Sequence, residues 1–415
     1  MKKLLDWMSE TVAPAMERVT KNVWISALQS SIMKTLPMIL VGSLITLYNV
    51  IKAYFPDIPD LSPIRSYTFG LIALFIVFLI PYTVLDLKKK PKNKYVAGFT
   101  GISLYMICVN PTVTEAGHVY DFASFGAGGM FVAIIAGLTT AVVMNFFLNF
   151  SFFGEDSVVP DFVKQWFDSM LPVAIVVTLG WLLVIHLEFD LFNLIVSFFS
   201  PLNNIAQSLP GMVLLFLIPT IFYSMGISAW VFQPILNPIM LMAITANIDS
   251  VARGEAAVLP NTLETMYAFL SLGGRGATLP LAIMMLFAMS KRLKAFSKAS
   301  IVPSFLNINE PIVFAIIAWN PIMMVPMWII GLVLPLVTYI SLTSGFVAIP
   351  AEVFNMWYIP AGVSAWLITK SFTAVLLVAI NLAIATIIWY PFFKIYDRQE
   401  AKKELEENSD VGHSI

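Results

Sequence analysis

Runs of about twenty apolar residues recur from one end of this 415-residue chain to the other, and they leave few folds open. Hydrophobic residue types make up 59% of the sequence and charged types only 12%. A water-soluble domain needs roughly a quarter of its residues charged, so this chain has too little polar surface to face water on all sides. An apolar helix of about twenty residues crosses the hydrocarbon layer and satisfies its own backbone there. Because the runs are spread along the whole length, the pattern is not that of one anchor on a soluble domain. The fold class is an all-α polytopic membrane protein.

Candidate spans lie at 32–50, 68–85, 96–110, 126–148, 169–187, 210–229, 231–248, 265–289, 321–345 and 371–391, about ten transmembrane helices by run length. Loop charges orient them. Lys88, Lys89, Lys90, Lys92 and Lys94 follow the second candidate, and Lys291, Arg292, Lys294 and Lys298 follow the eighth. An excess of Lys and Arg marks the cytoplasmic side. With the N-terminus inside, both clusters fall inside after an even number of crossings, and so does the C-terminus. The loops 51–67 and 111–125, carrying Asp57, Asp60, Glu115 and Asp121, fall outside. Met1–Lys21 is charged and amphipathic and lacks the short apolar core of a signal peptide; it reads as an interfacial helix. The polar segment 149–168, with Glu155, Asp156, Asp161 and Asp168, links two membrane domains. The expected division is 1–168, linker included, then 169–391, then a charged cytoplasmic tail at 392–415.

Two segments break the pattern. Residues 301–318 are apolar but interrupted by Asn307, Asn309, Glu310 and Pro311, as in a re-entrant hairpin entering from the cytoplasmic side. Broken backbone at membrane depth persists only where it is packed in protein or lines a wet cavity. Gly273, Gly274, Arg275 and Gly276 interrupt the eighth candidate span, and paired interruptions point to a transport site. Glu310 is a carboxylate inside an apolar segment, the kind of position that marks function. With the amides of Asn307 and Asn309 it suits a polyhydroxylated ligand, whose hydroxyls both donate and accept hydrogen bonds. Arg275 has three readings: it pairs with Glu310 or Glu264, meets an anionic ligand group, or snorkels to the interface. Ser228, Trp230, Gln233 and Asn237 form a polar and aromatic patch beside Pro234 and Pro238. Trp357 offers a ring that stacks on a pyranose face or sits in the interfacial aromatic belt.

Other chemistries find little support. A net charge of −1, from 24 basic and 25 acidic residues, argues against a nucleic-acid partner. The lone Cys108 allows no disulfide and lies in an apolar run, as an inert buried thiol does. His118, His186 and His413 have no metal-ligand spacing, and no nucleophile–base pair is visible. Neither a metal, nor a cofactor, nor a catalytic residue is expected on this chain.

The run LNINEPIVF, followed by Asn320-Pro321, resembles the membrane component IIC of the bacterial sugar phosphotransferase system, in its lactose, cellobiose and diacetylchitobiose branch. Further motifs follow the same order. Gly273-Gly274-Arg275-Gly276-Ala277-Thr278-Leu279 is similar to that family's GGSGATL, and SKRLKAFSK precedes the hairpin. Trp357 and Pro360 match a W-x-x-P, YPFFKIYD matches a closing motif, and Thr35-Leu36-Pro37 with Val41-Gly42-Ser43 fits the first span. The resemblance implies a homodimer whose N-terminal domain makes the dimer contact and whose C-terminal domain carries an oligo- or disaccharide by an elevator motion. It implies soluble IIB and IIA partners, IIB phosphorylating the sugar from its own phosphocysteine, and a multi-pass location in the bacterial inner membrane among lipids. Glu310 would hold sugar hydroxyls, Asn307 and Asn309 would shape the hairpin, Gly274 would let backbone reach the sugar, and Trp357 would stack on it. The sequence departs from the family where Ser228 replaces its histidine in G-I-H-G, Arg275 its serine, and Gln29-Ser30-Ser31 its Arg-Asp-Gly. Those departures also suit a permease uncoupled from phosphorylation, a facilitator or a proton-coupled carrier with Glu310 or Glu264 as proton site.

Overall fold

A computed structural model describes residues 6–89, 93–115, 117–147, 150–153 and 158–412. Lys90, Pro91 and Lys92 of the basic loop, Glu155 and Asp156 of the linker, and His413 lie outside the described residues. The main helices are α1 (Val23–Tyr54), α2 (Ile72–Leu87), α3 (Lys94–Cys108), α4 (Met130–Phe146), α5 (Asp161–Trp181) and α6 (Leu191–Ala206). There follow α7 (Leu209–Ser224), α8 (Gln233–Ala252), α9 (Leu279–Leu286) and α10 (Lys291–Phe305). The last are α11 (Pro321–Thr343), α12 (Ala361–Thr369) and α13 (Phe372–Gly412). A small antiparallel hairpin pairs β1 (Thr112–Thr114) with β2 (Gly117–Val119) in the 111–125 loop.

Among the described residues seven helices are long and apolar enough to cross a bilayer, or eight if α6 and α7, joined through a bend, count as one span. The chain is a multi-pass helical membrane protein. Two departures from the run-length expectation have physical causes. The candidate span 265–289 is not one helix: short helical pieces, Leu263–Thr265 and Met266–Leu270, lead into the glycine-rich turn, and α9 resumes after it. Helix α6 matches no candidate span, because Ser197, Ser200, Asn203 and Asn204 dilute its apolar run.

The chain divides into two compact units, residues 18–203 with 233–238, and residues 1–17, 204–232 and 239–415. In the first, α2 packs against α1, α3 and α4, and α5 packs against α3. Lipid tails are as apolar as these side chains, so van der Waals fit rather than water exclusion holds such helices together. At Gly98 a Cβ would run into the Phe78 ring, and at Gly101 one would lie 2.6 Å from the Val77 carbonyl oxygen, so bare glycine lets α2 and α3 approach. Buried Tyr105 donates its hydroxyl to the Ser124 carbonyl at 2.6 Å and ties α3 to the turn before α4.

In the second unit α7 packs on α11, α11 on α13, and α9 on both α10 and α13. The charged end of the chain is helical here, a continuation of α13. It caps α10. Fully buried Asp397 accepts from the Met289 and Ser290 amides at 2.9 and 3.0 Å. Glu404 accepts from the Ser290 hydroxyl at 2.5 Å and from the Lys291 and Arg292 amides at 2.9 Å each, and Arg292 pairs with Glu407. These are the amide groups a helix start leaves without internal partners, and carboxylates also suit its dipole. Asp397→Asn, which keeps one acceptor and loses the charge, is expected to lower stability by about 1–2 kcal/mol. Thermal unfolding of the purified protein in detergent checks this; an unchanged midpoint would show that the cap contributes nothing.

Candidate substrate site

The second unit contains both broken segments, and its buried polar groups answer the question of where their backbone bonds go. Past Leu270 the chain turns through Gly273, Gly274 and Gly276, with φ of +78°, +95° and +87°. Those left-handed values favour glycine. At Gly274 a Cβ would also overlap the Asn309 carboxamide. The freed backbone groups are captured one by one. The Gly273 amide donates to Asn307 Oδ1 at 2.8 Å, and the Gly273 carbonyl accepts from Thr278 Oγ1 at 2.6 Å. The Arg275 carbonyl accepts from Asn309 Nδ2 at 2.8 Å. On the far side, Asn381 Nδ2 reaches the Phe269 carbonyl at 2.9 Å and Trp389 Nε1 the Ala277 carbonyl at 3.0 Å, both from α13.

The second break begins where α10 ends. Asn307 turns with φ of +59°, and Glu310 opens a short helical stretch, Glu310–Ile312 continued by Val313–Ile317. Trp319, φ +59°, turns the chain into α11, whose first turn is capped by Asn320 Oδ1 accepting from the Ile322 amide at 3.1 Å. Asn307 Nδ2 donates to the carbonyls of Trp357 and Ile359 at 2.8 and 2.9 Å. Asn309 Nδ2 donates to the Arg275 carbonyl and to Thr278 Oγ1 at 3.0 Å, while its Oδ1 accepts from the Tyr223 hydroxyl at 3.2 Å. Both amide hydrogens of each asparagine are therefore committed within the protein, and each carbonyl oxygen keeps one lone pair. The two asparagines clasp the glycine turn, the hairpin and the 357–359 loop into one body.

Glu310 stands apart from that network. Its residue is exposed and its carboxylate has no hydrogen bond or ion pair among the described residues. Arg275 is buried, with 9% of its surface accessible. It donates to the Phe216 carbonyl at 3.3 Å, and its guanidinium lies 5.0 Å above the Phe216 ring. It forms no ion pair with Glu310 or Glu264 among the described residues, so of its three sequence readings direct pairing is not the one adopted. Glu264 is buried elsewhere in the unit, with Oε1 accepting from the Phe354 amide at 3.2 Å and Asn355 Nδ2 at 3.0 Å. Its Oε2 has no hydrogen-bond partner among the described residues.

Half-buried Trp357 sits edge-on to Trp230, with ring centroids 6.3 Å apart at 71°, and beside Tyr358 at 5.7 Å. Ser228 Oγ accepts from the Trp230 amide at 3.4 Å and so starts the turn that presents that ring. The structure thus joins Gly274, Arg275, Asn307, Asn309 and Trp357 by direct hydrogen bonds or contact, and brings in Ser228 through Trp230. Gln233 and Asn237 fall in the other compact unit, with Oε1 and Oδ1 buried without hydrogen-bond partners among the described residues. An apolar cavity of about 310 Å³ borders the turn between Gly273, Asn307, Phe305 and Val378, but none of Glu310, Arg275 and Trp357 lines it. Sequence reasoning missed Tyr223 and Thr278. A tyrosine within an apolar helix needs a partner for its hydroxyl, and that was the available signal for Tyr223.

Comparison with known proteins places the chain in a family. The sequence pattern of the family "Phosphotransferase system, EIIC" matches residues 29–331. The cellobiose-specific EIIC component of the PTS system of Geobacillus stearothermophilus is 28% identical over 456 residues, covering 100% of each chain. The lichenan permease IIC component of Bacillus subtilis is 28% identical over 441 residues, covering 97% of this chain and 96% of that one. The crystal structure of the transporter ChbC, the IIC component from the N,N'-diacetylchitobiose-specific phosphotransferase system, superposes with a TM-score of 0.86 at 25% identity, over 96% of this chain and 99% of that one. By the length of the family match and the end-to-end likeness of these relatives, the chain belongs to the phosphotransferase system EIIC family.

Proposed function

We propose that this chain is the sugar-translocating subunit of a phosphoenolpyruvate-dependent phosphotransferase system, moving an oligo- or disaccharide of the cellobiose or diacetylchitobiose kind. The observation that carries the reading is Glu310: an accessible carboxylate without a hydrogen bond or ion pair among the described residues, on a hairpin whose two asparagines spend their side-chain N–H groups within the protein. An ionised carboxylate accepts from two sugar hydroxyls, and charge-assisted bonds of this kind are roughly twice as strong as neutral ones. Trp357 supplies the apolar ring face for a pyranose, and Gly274 lets backbone approach it. Asn307 and Asn309 fix the hairpin against the turn, each with a spare lone pair toward the ligand. Arg275 and Ser228 complete the lining.

The transport cycle follows from the same reading. The C-terminal domain carries the sugar by an elevator motion against a scaffold made by the N-terminal domains of a dimer. About ten helices cross the inner membrane with both termini and the 392–415 tail in the cytoplasm. The relatives named for cellobiose, lichenan and diacetylchitobiose support an oligo- or disaccharide substrate. Phosphorylation occurs at the cytoplasmic face by a separate IIB protein recharged by IIA.

The test is reconstitution in sealed vesicles with labelled cellobiose or diacetylchitobiose. Sugar phosphate should accumulate inside only when phosphorylated IIB is enclosed. Free sugar moving equally well without IIB would make the chain an uncoupled permease, and sugar that neither binds nor moves would remove the transport reading.

A further inference from the structure

We propose that the first compact unit holds one anionic phospholipid, with an acyl chain in a groove between α1, α2 and α3 and the phosphate at Lys34. The groove has a volume of about 570 Å³ and is lined by Met38 and Thr35 of α1, Leu74 and Phe78 of α2, and Ile102 and Met106 of α3. All but Thr35 are apolar and half-buried. Lys34 is the only charged residue in the lining.

The groove has a direction. Leu74, Phe78 and Tyr82 follow one another at four-residue spacing on one face of α2, which puts them along roughly 12 Å of helix. Phe78 packs on Phe99 of α3 and Tyr82 on Tyr95, with centroids 5.5 and 5.2 Å apart. At the Tyr82 end the groove meets cations. Lys34 Nζ lies 5.6 Å from the Tyr82 centroid and donates to Thr83 Oγ1 at 3.3 Å. Lys94 Nζ lies 4.8 Å from the same ring. Lys94 is neutralised by Asp86 at 2.8 Å, whereas Lys34 has no carboxylate within 4.0 Å among the described residues. Lys34 is exposed, eleven positions inside an apolar helix. An ammonium at such a place is costly unless it reaches the headgroup layer or an anion.

An apolar slot ending in one uncompensated cation is complementary to a molecule with an alkyl chain and a single negative charge. In a bilayer that molecule is an acidic phospholipid, and basic pockets between transmembrane helices take such headgroups. A second copy of the chain would bring its own groove and its own Lys34, so a two-fold contact centred on the groove would place like charges together and supply no anion. Charge complementarity therefore favours lipid.

Native mass spectrometry of the full chain tests this, with defined phosphatidylglycerol or phosphatidylcholine added to delipidated protein. One phosphatidylglycerol per chain should survive detergent removal at several-fold higher occupancy than phosphatidylcholine. K34Q should lower phosphatidylglycerol occupancy several-fold, and K34R should restore it. Ile102→Trp, which fills the groove, should abolish retention of either lipid while sugar-induced stabilisation persists, showing that the fold is intact. Equal retention of the two lipids, or K34Q behaving as wild type, would overturn the proposal. So would Ile102→Trp that leaves lipid bound but shifts the oligomeric state, which would assign the groove to a neighbouring copy.

Discussion

Gly274→Ala should destabilise the protein by about 3–5 kcal/mol and abolish sugar binding together with stability. Two separate costs combine. The backbone at this position has φ of +95°, which an L-residue with a Cβ adopts only under strain. The added methyl would also displace the Asn309 carboxamide, which holds the Arg275 carbonyl, Thr278 and Tyr223 at once. Shifting Asn309 leaves those groups unpaired in a dry interior, where each lost bond carries its own desolvation cost. Thermal unfolding monitored with and without cellobiose measures both effects. A variant that unfolds at the wild-type temperature and still binds would mean that the turn relaxes easily, and that Asn309 is not what fixes the hairpin.

The network around Gly274 also shows where sequence reading stops. The membrane spans are legible because a long apolar run in lipid has essentially one solution, a helix. The break at 307–311 is legible for the same reason: asparagine, glutamate and proline in such a run need an explanation. The segment 265–289 reads as a span because Met266–Leu270 and Leu279–Leu286 are as apolar as any helix in the chain. Gly273, Gly274 and Gly276 mark the break in the sequence; what the sequence does not show is that Asn381 and Trp389, each 112 positions from its acceptor, supply donors for the carbonyls that the break frees. Pairing at that range leaves no local pattern. The end of the chain offers the same lesson. Its charges mark it as polar, but that Asp397 and Glu404 cap α10 depends on partners more than a hundred positions away. Within the site, composition identifies Asn307 and Asn309 as polar groups at membrane depth. It does not reveal that all their side-chain N–H groups are spent within the protein, on three backbone carbonyls and the Thr278 hydroxyl, whereas Glu310 is left with its acceptors open.

That contrast sets the expectation for Glu310→Gln. A carboxylate with no internal partner contributes little to the fold, so its neutral isostere should unfold within about 0.5 kcal/mol of wild type. Sugar affinity should fall by about 10- to 100-fold, because a charge-assisted hydrogen bond to a ligand hydroxyl is worth about 1.5–3 kcal/mol. Asparagine substitutions in the clasp cannot separate the two quantities, since they disturb both. Glu264→Gln supplies the complementary control. Glu264 is buried and engaged by the Phe354 amide and the Asn355 side chain, so its replacement should move stability and leave sugar affinity unchanged. Isothermal titration of the two variants alongside their melting curves gives four numbers, of which two should move. Affinity lost in Glu264→Gln and retained in Glu310→Gln would transfer the sugar from the hairpin to the 262–267 segment. Affinity lost in both, with Glu264→Gln folded, would mean that the two carboxylates share the ligand, and that the buried, unpartnered Oε2 of Glu264 is its second acceptor.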